Sequence, residues 1–199
     1  MKISNFNREL TWEHLHQSKE YPRKMNTKEY ISAEGDLRAV GDINSAASGS
    51  AARYNGAKQQ LDLVPVAFWL NQWKHKATMT QEIFEVLECL DSWQKRRNDN
   101  ALLEWLGLQD LTAAIPVLVF GGEKYAPFNW AKGMNYSVST GSLLRHVKAI
   151  LLGEEIDIES GETHWAHILC NVMFLSYHAH NFPELDDRPP NYLVSNKTN

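Results

Sequence analysis

The sequence predicts a mainly α-helical protein, a helical bundle around a C-terminal antiparallel helix hairpin, with irregular loops and an N-terminal arm. Apolar residues recur at helical spacing in three segments, which begin near residues 80, 139 and 161. Hydrophobic residues make up 43% of the 199 positions, which is enough for one sizeable core. A short connector between the last two patterns favours antiparallel neighbours. Helical periodicity dominates, and the fold is therefore predicted as mainly α.

Composition divides the chain into three parts. Residues 1–50 are polar and mixed, end in a run of small residues, and predict an arm or a loop. Residues 51–182 contain the helical patterns and predict a single domain. Residues 183–199 form a polar, proline-containing tail.

The first strong helical pattern runs over the segment TMTQEIFEVLECLDSWQ. Thr80 is placed to cap this helix, and its apolar stripe contains Ile83, Phe84, Val86, Leu87, Leu90 and Trp93. Acidic residues spaced by three fan across half of the helix surface. This acidic run is interpreted as a solvated face and contains Glu82, Glu85, Glu88 and Asp91.

Proline marks two further elements. Pro65 stands near the entry of an apolar segment, where a helix tolerates proline. A short helix to about Leu106 precedes another apolar segment, which ends at a Gly–Gly pair. Pro116 interrupts this segment, so a kinked helix and a short strand are both open.

Two long patterns predict the C-terminal hairpin. Its first helix begins at Ser139 or Thr140 and ends at Gly153, a residue type that commonly terminates helices. The second helix runs from about Gly161 to His180, after an acidic connector.

Charge and cysteine content limit the possible environments. The net charge of −4 and the pI near 6.1 argue against bulk binding of nucleic acid. Cys89 and Cys170 lie among apolar residues and are interpreted as reduced core thiols. The apolar stretches are too short to span a bilayer, and the N-terminus lacks the apolar run of a signal peptide. A soluble, cytoplasmic protein is expected.

The hairpin carries the strongest candidate site. His164, His167 and Asn171 share one face of the last helix, because positions i, i+3 and i+7 align. Arg145 and His146 lie on the preceding helix. With the carboxylates of the connector, the imidazoles are able to bind a divalent cation, contact phosphate or transfer protons. A purely structural role for the imidazoles remains open, and a buried Asn171 must either join a hydrogen-bond network or face a ligand.

Two loop clusters suit a nucleotide. Arg53 and Lys58 flank an Asn–Gly turn whose backbone N–H groups are able to approach an anion. The segment GGEKYAPFNWAKGMNYS combines a cation, aromatic rings and an amide, which suit the phosphate, the base face and the base edge. A solvated turn and an aromatic loop packed on the domain are the alternatives.

These clusters define the candidate residues by role. The catalytic candidates are His146, Asp157 and His164, and the metal-binding candidates are Glu155, Asp157, His164 and His167. The nucleotide-binding candidates are Arg53, Lys58, Lys124, Tyr125, Asn129, Trp130, Arg145 and Asn171.

Four segments in this order resemble the phage-associated dATP/dGTP diphosphohydrolase N-terminal domain family: RYNGAKQQLDLVP, GGEKYAPFNWAKGM, LLRHVKAILLGEEIDIESG and HWAHILCNVMFL. They cover roughly residues 52–67 and 120–177. The resemblance implies hydrolysis of purine deoxynucleoside triphosphates to the monophosphate and pyrophosphate with Mg²⁺, in the host cytoplasm if the protein is phage-encoded. Relative to compact members of the family, residues 70–118 are interpreted as a helical insertion. By position, the family pattern includes all of the candidates named above except Glu155. It also includes one further residue, Asp62.

Three functions are weighed on these residues. The first is a metal-dependent hydrolase of dATP or dGTP. The second is a binding protein that sequesters a nucleotide-derived immune signal without cleaving it, which needs the same cations and rings but no metal. The third is a protein-interaction module, which leaves the polar clusters unexplained. A homo-oligomer is compatible with each of the three.

Overall fold

The computed structural model describes residues 39–42, 44–54 and 58–190. Most of the predicted N-terminal arm, the Asn–Gly turn and the end of the tail lie outside these residues. Within them, two short strands pair antiparallel, with Ala39 opposite Tyr54 and Val40 opposite Arg53. The strands are β1 (Ala39–Val40) and β2 (Arg53–Tyr54), and the helices are α1 (Val66–Trp73), α2 (Gln81–Gln94), α3 (Ala101–Leu106), α4 (Ile115–Lys124), α5 (Tyr136–Leu151) and α6 (His164–Asn181).

Helices α5 and α6 form the predicted antiparallel hairpin. The hydroxyl of Tyr136, at the start of α5, donates to the carbonyl of His178 near the end of α6 (3.2 Å). At the other end, the imidazole of His146 contacts that of His164. Fully buried apolar side chains fill the contact between the helices: Leu143, Leu144, Val147, Ile168, Leu169 and Val172. Removing these side chains from water is the main stabilising contribution to the hairpin. The mainly α fold and its hairpin are confirmed.

The start of α5 differs from the prediction. The helix begins at Tyr136, so Ser139 and Thr140 lie inside it and are buried. Small residues in the middle of this helix leave room for other segments: a Cβ added at Gly141 would stand 2.4 Å from Oδ1 of Asp62. The prediction of a helix start at Ser139 or Thr140 was therefore wrong, because the helix already begins about one turn earlier, directly after Asn135.

The other helices close the core around the hairpin. Oγ1 of Thr80 accepts a hydrogen bond from the N–H of Ile83, as expected for the cap of α2. Pro116 lies in the first turn of α4, which resolves the segment as a helix. On α2, the acidic run is exposed at Glu82, Glu85 and Glu88, while Asp91 pairs with Lys95.

The segment before β2 packs on the loop between α4 and α5. The N–H groups of Gly49 and Ala51 donate to the carbonyls of Lys132 (2.8 Å) and Gly133 (3.0 Å). Ala51 and Ala52 are buried as a result. This packing positions Arg53 beside the hairpin.

The described part of the tail also contacts the domain. The carboxylate of Asp187 accepts from the backbone N–H (2.8 Å) and the hydroxyl (2.6 Å) of Ser137, in the first turn of α5. The guanidinium of Arg188 stacks 4.6 Å from the ring of Trp93. Across the described ranges, the structure contains no helix with the length and apolar character that a membrane crossing requires.

Candidate functional site

One cavity of about 380 Å³ lies where β2, the end of α4, α5, the α5–α6 connector and the start of α6 meet. It collects candidates from segments that are distant in sequence. All of the sequence-predicted site residues except Asp62, Glu155 and Asn171 line it: Arg53, Lys58, Lys124, Tyr125, Asn129, Trp130, Arg145, His146, Asp157, His164 and His167. Sites of this size commonly hold small molecules.

Three imidazoles form the polar wall of the cavity. Nδ1 of His146 lies 2.9 Å from Nδ1 of His164. The ring of His146 stacks on that of His167, with centroids 4.3 Å apart and an angle of 11° between the planes. His164 and His167 are one turn apart on α6, and both therefore face His146 on α5.

Burial keeps two of these imidazoles, those of His146 and His167, uncharged. Burial, followed by the neighbouring imidazoles and guanidinium groups, lowers the pKa of His146 to about 2. Burial also lowers the pKa of His167 to about 4, although Asp157 partly opposes the shift. Near neutral pH both rings are neutral, and each therefore keeps a lone pair for a proton or a cation.

The connector between α5 and α6 fixes the carboxylate of Asp157. Its Oδ2 accepts hydrogen bonds from the N–H (3.0 Å) and the hydroxyl (2.8 Å) of Ser160. The backbone of Asp157 is held in turn, because its N–H donates to the carbonyl of Glu162 (2.8 Å). Oγ of Ser160 also lies 2.7 Å from Nε2 of His167. The serine therefore links the carboxylate to the imidazole.

His146, Asp157 and His164 together offer three ligand atoms that all lie within 4.8 Å of one another. The carboxylate of Glu155 does not join this group among the described residues; its backbone carbonyl accepts the N–H of His164 (2.9 Å). Two imidazoles and one carboxylate do not match Mg²⁺, which prefers oxygen ligands and retains water. The residues present do not fit the Mg²⁺ site that was expected from the sequence.

Two guanidinium groups face the same cavity. Nη2 of Arg53 donates to Oγ of Ser142 (2.5 Å) and to Oδ1 of Asn171 (3.4 Å). Nη1 of Arg145 donates to the carbonyl of Gln59 (2.8 Å). Burial, followed by repulsion from Arg53, lowers the pKa of Arg145 to about 10, and attraction by Asp62 opposes this. These hydrogen bonds end on neutral oxygens, so an anion in the cavity would relieve the mutual repulsion.

Two lysines share one carboxylate at the cavity. Nζ of Lys58 lies 3.0 Å from Oε2 of Glu159, and Nζ of Lys124 bonds its other oxygen. Burial raises the pKa of Glu159, but Lys124 and Lys58 outweigh it and hold the pKa at about 2. Glu159 is therefore ionised and occupies the position between the lysines that a phosphate oxygen would suit.

One family model matches part of the chain. Residues 90–188 match the family model described as dATP/dGTP diphosphohydrolase, N-terminal. The resemblance seen in the sequence is confirmed over residues 120–177, while residues 52–67 precede the match. Neither the curated proteins nor the solved structures contain a match to the chain.

The matched range contains the imidazole cluster, Asp157, Lys124 and Arg145, whereas Arg53 and Lys58 lie before it. The matched range begins at residue 90, inside the predicted insertion of residues 70–118. The insertion therefore stays a prediction. The candidate site therefore combines residues of the matched range with side chains from the preceding segment.

Two candidates for base recognition have structural partners. Oδ1 of Asn129 accepts the N–H of Ala52 (3.0 Å), and its Nδ2 donates to the carbonyl of Ala52 (2.9 Å). One acceptor site and one donor of the Asn129 amide are thus engaged by the backbone, and its contact with a base stays a prediction. The ring of Trp130 stacks on Phe174 at 5.1 Å and forms part of the cavity wall.

Asn171 lies behind the cavity and is networked. Its Oδ1 accepts from Arg53, and its Nδ2 donates to the carbonyl of His167 (2.7 Å). Of the two roles that the sequence left open for this buried amide, the structure selects the hydrogen-bond network.

Sequence reasoning missed several contributors. Ser160 orients both Asp157 and His167, and the three-residue spacing from Asp157 is a signal for such a turn. Ser142 carries no such local signal, because its partner Arg53 is distant in sequence. Phe128 lines the cavity, is 75% exposed, and has a left-handed φ of 58°, a strained conformation for an aromatic residue.

Proposed function

We propose that this protein binds a purine deoxynucleoside triphosphate, dATP or dGTP, in the cavity and hydrolyses it to the monophosphate and pyrophosphate. The observation that carries the proposal is the convergence of Arg53, Arg145, Lys58 and Lys124 on the cavity that also contains the imidazole cluster. A protein with a net charge of −4 concentrates positive charge here, which is the electrostatic requirement of a polyphosphate site. The family match supports the same class of substrate.

The phosphate chain would lie against the guanidinium groups. The hydrogen bonds of Arg53 end on a hydroxyl and an amide oxygen, and that of Arg145 ends on a backbone carbonyl. None of these acceptors carries a charge. A phosphate would therefore form charge-assisted hydrogen bonds, which are about twice as strong as neutral ones.

The base would lie against the aromatic part of the lining. Tyr125, Phe128, Trp130 and Phe174 all contribute to the cavity wall. Bases stack on aromatic rings with a gain of about 1–3 kcal/mol per base, and the larger purine ring has more area to stack. The exposed ring of Phe128 is the most accessible of the four.

A neutral imidazole supplies the proton acceptor for hydrolysis. The hydroxyl of Ser160 donates to Asp157, so Nε2 of His167 must donate to that hydroxyl, which leaves Nδ1 of His167 as the basic nitrogen. In the proposed reaction this nitrogen takes a proton from water as the water attacks the α-phosphorus. The bond from that phosphorus to the bridging oxygen breaks, pyrophosphate leaves, and the cationic side chains stabilise its charge.

The resemblance implies Mg²⁺, and we propose that this ion belongs to the substrate. The triphosphate would enter the cavity as its magnesium complex. The His–His–Asp donor set does not favour Mg²⁺ as a protein-bound ion. We propose the cytoplasm, and for a phage-encoded chain the host cytoplasm, as the site of action.

One observation favours the alternative, a protein that sequesters a nucleotide-derived immune signal without cleaving it. Among the described residues, the carboxylates that line the cavity are Asp157 and Glu159, and Glu159 is held by two lysines. A cation-rich cavity with few carboxylates suits tight retention of an anion. A phage would gain from such a protein, because host immunity based on nucleotide messengers depends on free messenger.

Incubation of the full chain with single nucleotides tests both functions. The four deoxynucleoside triphosphates and a set of cyclic dinucleotides are each added with and without Mg²⁺, and the products are resolved by mass spectrometry. Monophosphate and pyrophosphate from dATP or dGTP, but not from dCTP or dTTP, support hydrolysis of purine substrates. A ligand released intact after heating supports sequestration instead.

A pair of variants assigns the product to the cavity. Asp157→Asn should abolish turnover and retain nucleotide binding, because the amide no longer orients Ser160 and His167 as a carboxylate does. Glu88→Gln, an exposed position on α2, is the matched control and should keep full turnover. If the wild-type protein neither binds nor cleaves any of these nucleotides, both functions are wrong.

A further inference from the structure

We propose that His146, Asp157 and His164 bind one transition-metal ion of the Zn²⁺ type, and not Mg²⁺. The three residues come from α5, the connector and α6, and their ligand atoms all lie within 4.8 Å of one another. Imidazole nitrogens favour Zn²⁺ and related ions, while carboxylate oxygens alone favour Mg²⁺. This metal site goes beyond the proposed hydrolase and does not rest on it.

The first observation is the approach of the two imidazoles. Nδ1 of His146 and Nδ1 of His164 lie 2.9 Å apart in the interior. Each neutral imidazole nitrogen carries either a proton or a lone pair, and two lone pairs at this distance repel unless a proton or a cation lies between them. Zn²⁺–nitrogen bonds of about 2.0–2.1 Å place two nitrogen ligands on the order of 3 Å apart. The observed spacing is close to that of two ligands of one ion, and without an ion one ring donates a hydrogen bond to the other.

The second observation is an unpartnered nitrogen on a buried ring. His164 is 4% exposed, and its Nε2 has no hydrogen-bond partner among the described residues. Oε2 of Glu154 lies 3.8 Å away. A carboxylate beside the second nitrogen of a histidine is the usual arrangement that orients a metal-binding imidazole. Glu154 thus stands where it would fix the ring with Nδ1 directed at the ion.

The third observation is the rigid hold on Asp157. Two hydrogen bonds from Ser160 fix its carboxylate, and the backbone of His164 is tied to the carbonyl of Glu155. Metal sites need their ligands held in place by such outer contacts. All three proposed ligands line the cavity, so the remaining coordination position is open to water or to a phosphate oxygen.

Metal content measured without any nucleotide tests the proposal. The full chain is stripped with a chelator, dialysed separately against Zn²⁺, Co²⁺ and Mg²⁺, and analysed by mass spectrometry of the elements. One Zn²⁺ or Co²⁺ per chain is expected, with a visible cobalt spectrum typical of nitrogen and oxygen ligands in a four- or five-coordinate site. Mg²⁺ should not be retained. Absence of bound Zn²⁺ and Co²⁺, or equal retention of Mg²⁺, would overturn the proposal.

Variants locate the ion. His146→Ala and Asp157→Asn should each lose the metal and the cobalt spectrum, whereas His75→Ala and His180→Ala, at exposed histidines, should keep both. Circular dichroism checks the fold of each variant. If His146→Ala fails to fold, Asp157→Asn still tests the site, because asparagine has nearly the same shape as aspartate. Zn²⁺ should raise the melting temperature of the wild-type protein but not that of Asp157→Asn. Retention of the ion by folded Asp157→Asn at wild-type affinity would place it elsewhere.

The outcome is separable from that of the proposed function. A stoichiometric Zn²⁺ site without any nucleotide cleavage would overturn the hydrolase and leave the metal site standing. Cleavage of dATP or dGTP by a chelator-treated protein that binds no transition metal would overturn the metal site and support the hydrolase.

Discussion

The side-chain amide of Asn129 makes two hydrogen bonds with the backbone of Ala52, one to its N–H and one to its carbonyl. Both residues are buried. The pairing imitates that of two neighbouring strands and joins the segment before β2 to the loop between α4 and α5. Because Arg53 follows Ala52 directly, this contact decides where one of the two guanidinium groups enters the cavity.

Asn129→Ala should therefore destabilise the protein and weaken ligand binding together. The substitution leaves two buried backbone groups without their partner, and each such group costs about 1–3 kcal/mol. We expect the free energy of unfolding in urea to fall by at least about 2 kcal/mol. Asn135→Ala, at an exposed position whose side chain does not cap α5, is the matched control and should change little. Equal stability of the two variants would contradict the structural role of Asn129.

Arg145→Ala should weaken binding of any nucleotide in the cavity, whether the ligand is cleaved or retained. Hydrogen bonds to charged groups contribute about 1.5–3 kcal/mol, so affinity should fall by about 10- to 150-fold in titration calorimetry. Arg97→Ala removes the same charge at an exposed position and controls for the change in net charge. An unchanged affinity in Arg145→Ala would remove this residue from the site.

Glu159→Gln should strengthen the binding of pyrophosphate. In the ligand-free protein the carboxylate of Glu159 neutralises Lys58 and Lys124, and a phosphate must compete with it. Because the glutamate is partly exposed, its competition is modest, on the order of 0.2–1 kcal/mol, which corresponds to an affinity gain of up to about fivefold. Glu88→Gln supplies the control for the lost negative charge. Weaker binding in Glu159→Gln would mean that the glutamate supports the anion site and does not compete for it.

Local patterns were sufficient to predict the hairpin, because the apolar residues of α5 and α6 follow the helical period closely. The shared face of His164 and His167 followed from the same period, and both rings line the cavity. Long-range contacts were not accessible in this way. The hydrogen bond from Arg53 to Ser142 spans 89 positions, and no local pattern pairs those two residues.

Residue type alone also does not show how a polar side chain is used. Asn129 has the chemistry to read a base edge, but its amide is engaged by Ala52, a partner 77 positions away. Glu155 has the chemistry of a metal ligand, and its hydrogen bond to the imidazole-bearing helix is made by its backbone carbonyl. In both cases, whether the polar group contacts a ligand or the protein itself depends on where the fold places it. Residue type does not give that information.

His178 should make the stability of the protein depend on pH. Its Nε2 donates to the carbonyl of Trp130 (2.8 Å), whereas its buried Nδ1 has no partner among the described residues. Burial, partly opposed by the Trp130 hydrogen bond, lowers the pKa of His178 below its usual value of 6.5. The unfolded chain therefore binds a proton that the folded chain excludes, and stability falls as the pH drops below about 6.5, by up to about 1.4 kcal/mol per pH unit.

Urea denaturation over the range from about pH 7 to about pH 5 measures this dependence. His178→Gln keeps a donor for the carbonyl of Trp130 but does not titrate, so its stability should fall less steeply with decreasing pH than that of the wild-type protein. The comparison uses the slope of stability against pH and not the absolute stability, since loss of the ring also changes packing. His180→Ala, on the same helix but exposed, should keep the wild-type slope. If His178→Gln and the wild-type protein lose stability in parallel, the excluded proton does not belong to His178.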